Sequence, residues 1–397
     1  MPGHHALLIS NQLEARVFLN EIGVDSTEIE GIIPKAVFRC IKLKKISCEA
    51  AAIIQQEMVA QGGAAAWAQA SLNSDGTTDI LLMGTIAQYR LLIARLGLMP
   101  LEIRNLCSEI ELILKNLESP PMKLKLAHNK ELELGSRTLI MGILNITPDS
   151  FSDGGRYLNE DLAVRHALQM VNDGADIIDV GGASSRPNSA MAPAGEEIIR
   201  ILPVIKRLKK EGLIISVDTF RAQVAREALL AGADIINDIG NLQLDAELIN
   251  VLSEFRAPCI LMHNRMQMRA GEPYEDLIAD IIQELKQSIS RAVNAGLGKD
   301  QLVIDPGIGF GKSLAGNLML IKHLGNFKSL GQPVLVGTSR KSFIGQTLGL
   351  DVADRLEGSL ATVVMAIMNG ADIIRVHDVK ASKRAAQMTD AVISAHG

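Results

Sequence analysis

The chain has 397 residues, 47% of them hydrophobic, and a formal net charge of −5. It is long for one domain, can bury a large core, and offers no basic excess for a nucleic-acid partner. No apolar run approaches the ~20 residues of a membrane span, and Glu14 and Arg16 interrupt the N-terminus before a signal-peptide core develops, so a cytoplasmic protein without membrane contact is expected.

Residues 1–120 read as a separate small α+β domain. Residues 37–46 alternate like a strand, and 49–61 are helical, with Gly62-Gly63 as the stop. Further strands are expected at 66–72 and 79–84, around an Asn73-Ser-Asp-Gly76 turn. Amphipathic helices follow at 88–96 and 101–117. No nucleotide motif, metal cluster or carboxylate pair appears there, so a structural or oligomerisation role is expected. Pro120-Pro121 ends the domain. Cys40, Cys48, Cys107 and Cys259 form no C-x-x-C pair, which suits a reducing compartment.

The texture then changes over 121–397. Lys123–Ala127 and Glu131–Leu134 alternate about His128-Asn129, a hairpin pattern. Eight short apolar runs follow, at 139–145, 177–182, 214–219, 235–239, 259–263, 303–307, 334–339 and 373–378. Helical stretches separate them. Gly174-Ala-Asp-Ile-Ile178 recurs at 232–236 and 370–374, each time with glycine fitting a helix stop and Ile-Ile opening a strand. Strand and helix alternating over about 260 residues predicts a (β/α)8 TIM barrel, its bottom covered by the hairpin. A doubly wound sheet would need a strand-order reversal that the sequence does not show.

Such barrels keep their chemistry at the C-terminal strand ends. Those ends carry Asn145; Asp179 and the run Gly181–Pro187; Asp218; Asn237; Met262-His263; the run Asp305–Lys312; Ser339–Ser342; and Arg375, His377 and Asp378. A lone Asp or Asn after a strand is more often a cap. A whole rim of them is harder to explain structurally, since each one desolvated without a partner costs about 1–3 kcal/mol. Asp218, Asn237 and Asp305 can accept from an amide-rich planar heterocycle. Arg186, Arg375 and His377 suit a polyanion such as diphosphate. Asn145 can supply the one oxygen that magnesium needs beside phosphate. No Ser or Cys lies beside a His–Asp pair, which disfavours covalent catalysis. The glycines of Asp305–Lys312 do not match a nucleotide loop and predict close backbone approach to a ligand.

These motifs make residues 123–397 resemble the dihydropteroate synthases, above all Met141–Gly155, Asp305–Lys312 with 336–345, and 374–379. The resemblance implies condensation of 6-hydroxymethyl-7,8-dihydropterin diphosphate with 4-aminobenzoate, with Mg2+, in a homodimer. It implies that Asp218, Asn237, Asp305 and Lys341 hold the pterin, with Ile239 and Met262 as walls and Arg375 across one face. Asn145, Arg375 and His377 would take the diphosphate and its metal. Phe151, Ser185, Arg186, Pro187, Phe310 and Ser342 would frame the aminobenzoate side. The second loop departs from the family's Gly-Gly-Glu-Ser-Thr-Arg-Pro-Gly, with Ala183 for the glutamate and Ser185 for the threonine. Two rival readings are a corrinoid-methyltransferase type of pterin-binding barrel and a non-catalytic pterin-binding protein. Residues 357–370 are apolar almost all round, so this helix is expected to be covered, with a homodimer contact as the expected cover.

Overall fold

A computed structural model describes residues 3–68, 76–118, 122–146, 156–183, 193–266 and 271–395. The chain divides into two units between residues 119 and 120.

In the first unit, α1 (Gln12–Glu21) and α2 (Ser26–Ala36) precede β1 (Phe38–Ser47), α3 (Cys48–Ala60), β2 (Ala64–Trp67), β3 (Thr77–Thr85), α4 (Ile86–Leu96) and α5 (Leu101–Leu117). The strands form an antiparallel sheet in the order β1-β3-β2. Ser47 caps α3, and Thr85 with Gln88 forms a capping box on α4. Ile54, Met58, Leu82, Tyr89, Leu92 and Ile110 fill the core. Neither α1 nor α2 was anticipated. The only buried residue of α1 is Ala15, so the helix carries little apolar periodicity to read. The strand expected at 66–72 begins at Ala64, and residues 69–75 of that reading lie outside the described residues.

The second unit opens with the hairpin β4 (Met122–Lys125) and β5 (Glu131–Leu134). Eight parallel strands follow: β6 (Leu139–Asn145), β7 (Ile177–Gly181), β8 (Ile215–Asp218), β9 (Ile235–Asp238), β10 (Cys259–Met262), β11 (Leu302–Asp305), β12 (Leu335–Val336) and β13 (Ile373–Val376). Between and after them run α6 (Arg156–Asn172), α7 (Ala194–Lys210), α8 (Ala222–Ala231), α9 (Leu248–Phe255), α10 (Leu277–Asn294), α11 (Leu314–Lys322), α12 (Ser342–Leu348), α13 (Leu356–Met368) and α14 (Val379–Ile393). The sheet order runs from β11 down to β6, then β13 and β12. A parallel bridge between Ile304 and Val334, with Ile304 N–H donating to Pro333 O at 2.9 Å, brings its two ends together. This is the TIM barrel expected. Leu124, Leu126 and Leu134 of the hairpin plug its bottom against Leu139, Ile177, Ile235, Ile260, Val303 and Ile373.

The repeated pentapeptide has one physical meaning in all three places. Gly174, Gly232 and Gly370 take positive φ at helix ends, at 104°, 110° and 95°. The alanine N–H then reaches back to a carbonyl five residues earlier, as in Ala233 to Ala228, which closes a Schellman turn. The first isoleucine of each pair (177, 235, 373) faces the lumen and the second (178, 236, 374) faces the helices. The aspartate ties neighbouring strands. Asp176 accepts from Ile140 N–H at 2.8 Å, Asp234 from Ile215 at 3.0 Å and Asp372 from Val334 at 2.7 Å. Each also meets a lysine from a neighbouring helical segment: Lys383 of α14 at 3.5 Å, Lys209 of α7 at 3.2 Å and Lys328, ahead of β12, at 2.6 Å. The lysine stems lie over the glycines, so a Cβ at Gly232 would stand 2.8 Å from Lys209 Cγ.

Gly212 has positive φ too, at 75°, but nothing near it for a side chain to strike. Gly212→Ala is expected to cost about 1 kcal/mol, the left-handed strain alone. Gly232→Ala should cost about 1–2 kcal/mol more, because Lys209 must leave Asp234. Urea unfolding of both variants checks this, and equal losses would refute the packing argument.

Candidate active site

A parallel strand ends where its last carbonyl leaves the sheet, and in a barrel all eight ends converge on one rim. Asn145 ends β6 in register with Gly181 of β7, where a Cβ would come to 3.3 Å from the Asn145 amide oxygen. Asp218 ends β8, paired with Asn237 of β9. Met262 ends β10, paired with Asp305 of β11. Arg375 lies on β13 and His377 just beyond it.

The centre of the rim is a charge cluster. Arg375 Nε donates to Asp179 Oδ2 at 2.6 Å, and Nη2 donates to Asp218 Oδ2 at 2.8 Å. Asn237 Nδ2 donates to the same Asp179 oxygen at 3.1 Å, which turns its amide oxygen the other way. Asp179 is fully buried, and its Oδ1 has no hydrogen-bond partner among the described residues. Burial lifts the Asp218 carboxyl to about 7, and Arg375 opposes that rise. Asp305 is also raised by burial, opposed chiefly by Lys341. Lys341 is pushed down to about 8 by burial, with Asp305 opposing. Its ammonium donates to Ile308 O and lies 4.7 Å from the centre of the Phe310 ring.

Asp305 is held by the loop that follows it, with Gly307 N–H donating to Oδ1 at 2.7 Å. The apolar pair Ile239 and Met262 is buried, and Asn264 Nδ2 donates to Ile239 O at 3.0 Å. The ends of the last two strands are joined twice. Ser339 Oγ meets His377 Nδ1 at 3.1 Å and accepts its backbone N–H at 3.2 Å. Arg340 bridges Asp378 in two bonds of 2.9 and 2.5 Å. Ser342 is exposed at the start of α12. Phe151, Ser185, Arg186 and Pro187 lie outside the described residues.

The close approaches in the glycine-rich run differ from expectation. A Cβ on Gly307 would fall 1.9 Å from His263 O, and one on Gly311 would fall 3.0 Å from Met266 N. These glycines make room for the chain itself. Reading the residues missed Asp179 and Ser339 as partners of Arg375 and His377. The only signal was their position at strand ends, which a cap would share. No group of three His, Cys, Asp or Glu side chains suited to a metal occurs among the described residues. A carboxylate- and amide-lined hollow with an arginine, a lysine and a histidine on one rim can bind a flat donor-rich ring and its anionic tail together.

Comparison with known proteins agrees. The model of the pterin binding enzyme family matches residues 141–377. The chain is 47% identical over 267 residues to a dihydropteroate synthase of Clostridium beijerinckii, covering 67% of this chain and 98% of that one. A solved dihydropteroate synthase of Xanthomonas albilineans with 4-aminobenzoic acid superposes with a TM-score of 0.66 at 40% identity, covering 70% of this chain and all of that one. A probable bifunctional folylpolyglutamate synthase/dihydropteroate synthase of Haloferax volcanii matches at 36% identity over 378 residues, 92% of this chain and 45% of that one. That span exceeds the barrel, so it reaches into the N-terminal unit. The chain belongs to the dihydropteroate synthase family of pterin-binding enzymes.

Proposed function

We propose that this rim condenses 6-hydroxymethyl-7,8-dihydropterin diphosphate with 4-aminobenzoate, the dihydropteroate synthase step of folate biosynthesis. The carrying observation is the juxtaposition of Asp179–Arg375–Asp218 with Asp305 and Lys341, acceptors and a donor for a heterocycle beside an arginine for its leaving group. In the proposed sequence, the C–O bond to diphosphate breaks first. This leaves a cation on a methylene conjugated with the pterin. The amine nitrogen then bonds to that carbon and loses a proton to solvent. The amine is a nucleophile at neutral pH, so the chain needs to supply orientation and a leaving-group clamp more than a strong base.

Asp218, Asn237 and Asp305 accept from the ring, Lys341 donates to it, and Ile239 and Met262 exclude water. The pterin donors compete with Arg375 for Asp218. Arg375 keeps its Asp179 bond, which leaves Nη2 for the ring face and diphosphate. His377, oriented through Nδ1 by Ser339, is the proposed imidazole partner of the diphosphate. Magnesium fits this site as an ion carried largely by diphosphate, since Asn145 offers one oxygen beside the clamp. When bound, it would neutralise charge on departing pyrophosphate. Phe310 and Ser342, with Phe151, Ser185, Arg186 and Pro187, frame the aminobenzoate side. A corrinoid-methyltransferase role would leave the Arg375–His377 anion clamp without a purpose.

Residues 121–397 are the catalytic domain in this reading, and 1–120 an accessory domain. The long Haloferax match supports the accessory domain as a lasting companion of the barrel. Met365 and Met368 on α13, with Met388 on α14, expose apolar surface. These helices pack together, and a second copy of the chain is the proposed cover, giving a homodimer. A cytoplasmic setting is part of this proposal; no described helix is long and apolar enough to cross a membrane.

Saturating pterin diphosphate, 4-aminobenzoate and Mg2+ should release pyrophosphate, and Asp218→Asn should raise the pterin KM at least about tenfold, or ~1.4 kcal/mol. No release from the parent enzyme would refute the activity. Ser185→Thr should shift the 4-aminobenzoate KM by about two- to tenfold with kcat little changed, as restoring one methyl would; an unmoved KM would displace this loop from the site. Light scattering over a concentration series should give twice the monomer mass, and a strict monomer would exclude the dimer.

A further inference from the structure

One cation beside the rim has no part in the chemistry above. Lys312 ends the glycine-rich run after β11. Its Nζ lies 2.8 Å from Gly307 O, 2.9 Å from His263 Nδ1, 3.0 Å from Phe310 O and 3.1 Å from His263 O. An ammonium has three hydrogens, which these four acceptors, three carbonyls and the imidazole Nδ1 lone pair, share. Its protonation state is set from the other side, where Nε2–H donates to Glu284 Oε2 at 2.9 Å. Arg265 holds Glu284 through bonds of 3.0 and 2.6 Å. Burial keeps His263 neutral, pushing it down to about 4.

The cage lies one peptide from the site. Gly307 gives its carbonyl to Lys312 and its N–H to Asp305 Oδ1. Only glycine allows this, because its φ is +68° and a Cβ would overlap His263 O. The loops after β10 and β11 therefore close on one ammonium. Without it, three carbonyls and a ring nitrogen would converge with no donor between them, and each group would repel the others.

We propose that Lys312 is a positioning residue acting as a tethered monovalent cation, whose ammonium fixes Gly307 and through it aims the Asp305 carboxylate at the pterin. The donor set is that of a site for a primary ammonium ion, filled here from the chain itself. Cutting the tether should leave that site able to take a free ammonium. The inference rests on the pterin-holding role proposed for Asp305, but the cage can be read without substrate.

The test uses the full-length enzyme with Lys312→Ala, which retains Cβ, and n-propylammonium, which replaces the missing atoms. Lys312→Ala should lower the Tm and raise the pterin diphosphate KM at least about tenfold, with kcat and the 4-aminobenzoate KM within about threefold. Millimolar n-propylammonium should restore at least half of both losses. Tetramethylammonium at equal ionic strength should restore neither, having no N–H to donate. Recovery of Tm without substrate reports the cage, and recovery of KM reports its link to Asp305, so failure of the pterin reading and failure of the cage are distinguishable. An unchanged pterin KM, or equal rescue by tetramethylammonium, overturns the proposal. Should Lys312→Ala not fold alone, folding it in n-propylammonium replaces the Tm arm, and failure there also overturns it.

Discussion

A cation taken out of water must find acceptors in the protein, and this constraint shapes the barrel's rim. Arg375, Lys341 and Lys312 are all drawn into one end of the barrel, and each has acceptors within reach. Arg375 lies against Asp179 and Asp218, Lys341 against Ile308 O beside Asp305, and Lys312 inside a carbonyl cage. None of these solutions is wholly comfortable. Burial leaves the carboxyls of Asp218 and Asp305 raised and the ammonium groups of Lys341 and Lys312 lowered. In the function proposed above, a donor-rich ring with an anionic tail would relieve both tensions at once, giving Asp218 and Asp305 new donors and Arg375 a new anion. The arrangement thus holds polar groups ready for a ligand instead of satisfying them fully among themselves.

The two ends of the barrel use the same residue types for different purposes. At the bottom, Asp176, Asp234 and Asp372 each accept a neighbouring strand's N–H and meet a lysine. Those carboxylates are occupied by the chain and add to stability. At the top, Asp179 retains a buried oxygen with no partner among the described residues. The division follows from strand direction. Bottom residues sit at strand starts, close to neighbouring helical segments whose lysines can reach them, while top residues face a hollow.

Much of this was legible in residue order. The words at 174–178, 232–236 and 370–374 announced helix stop, tie and strand start, because a left-handed glycine and paired isoleucines have few other uses. The polar residue after each apolar run then marked a strand end, which is how Asp218, Asn237 and Asp305 came to be grouped. Other features were silent. The helix α1 buries too little to show a period. Asp179 looked like a cap, although it binds an arginine 196 residues away in the chain. Lys312 looked like the end of a ligand loop, although its partners are carbonyls and a histidine of its own barrel.

The order of residues by itself determined the barrel, its hairpin plug, the family and the set of polar groups at its mouth, because these depend on period, turn chemistry and short words that are local in the chain. Which of those groups touch was decided only in three dimensions. Arg375 lies between Asp179 and Asp218, and His263 stands beside Lys312, because barrel closure and strand register bring distant segments within 3 Å. Local sequence carries no record of the direction in which a side chain meets a partner contributed by another strand.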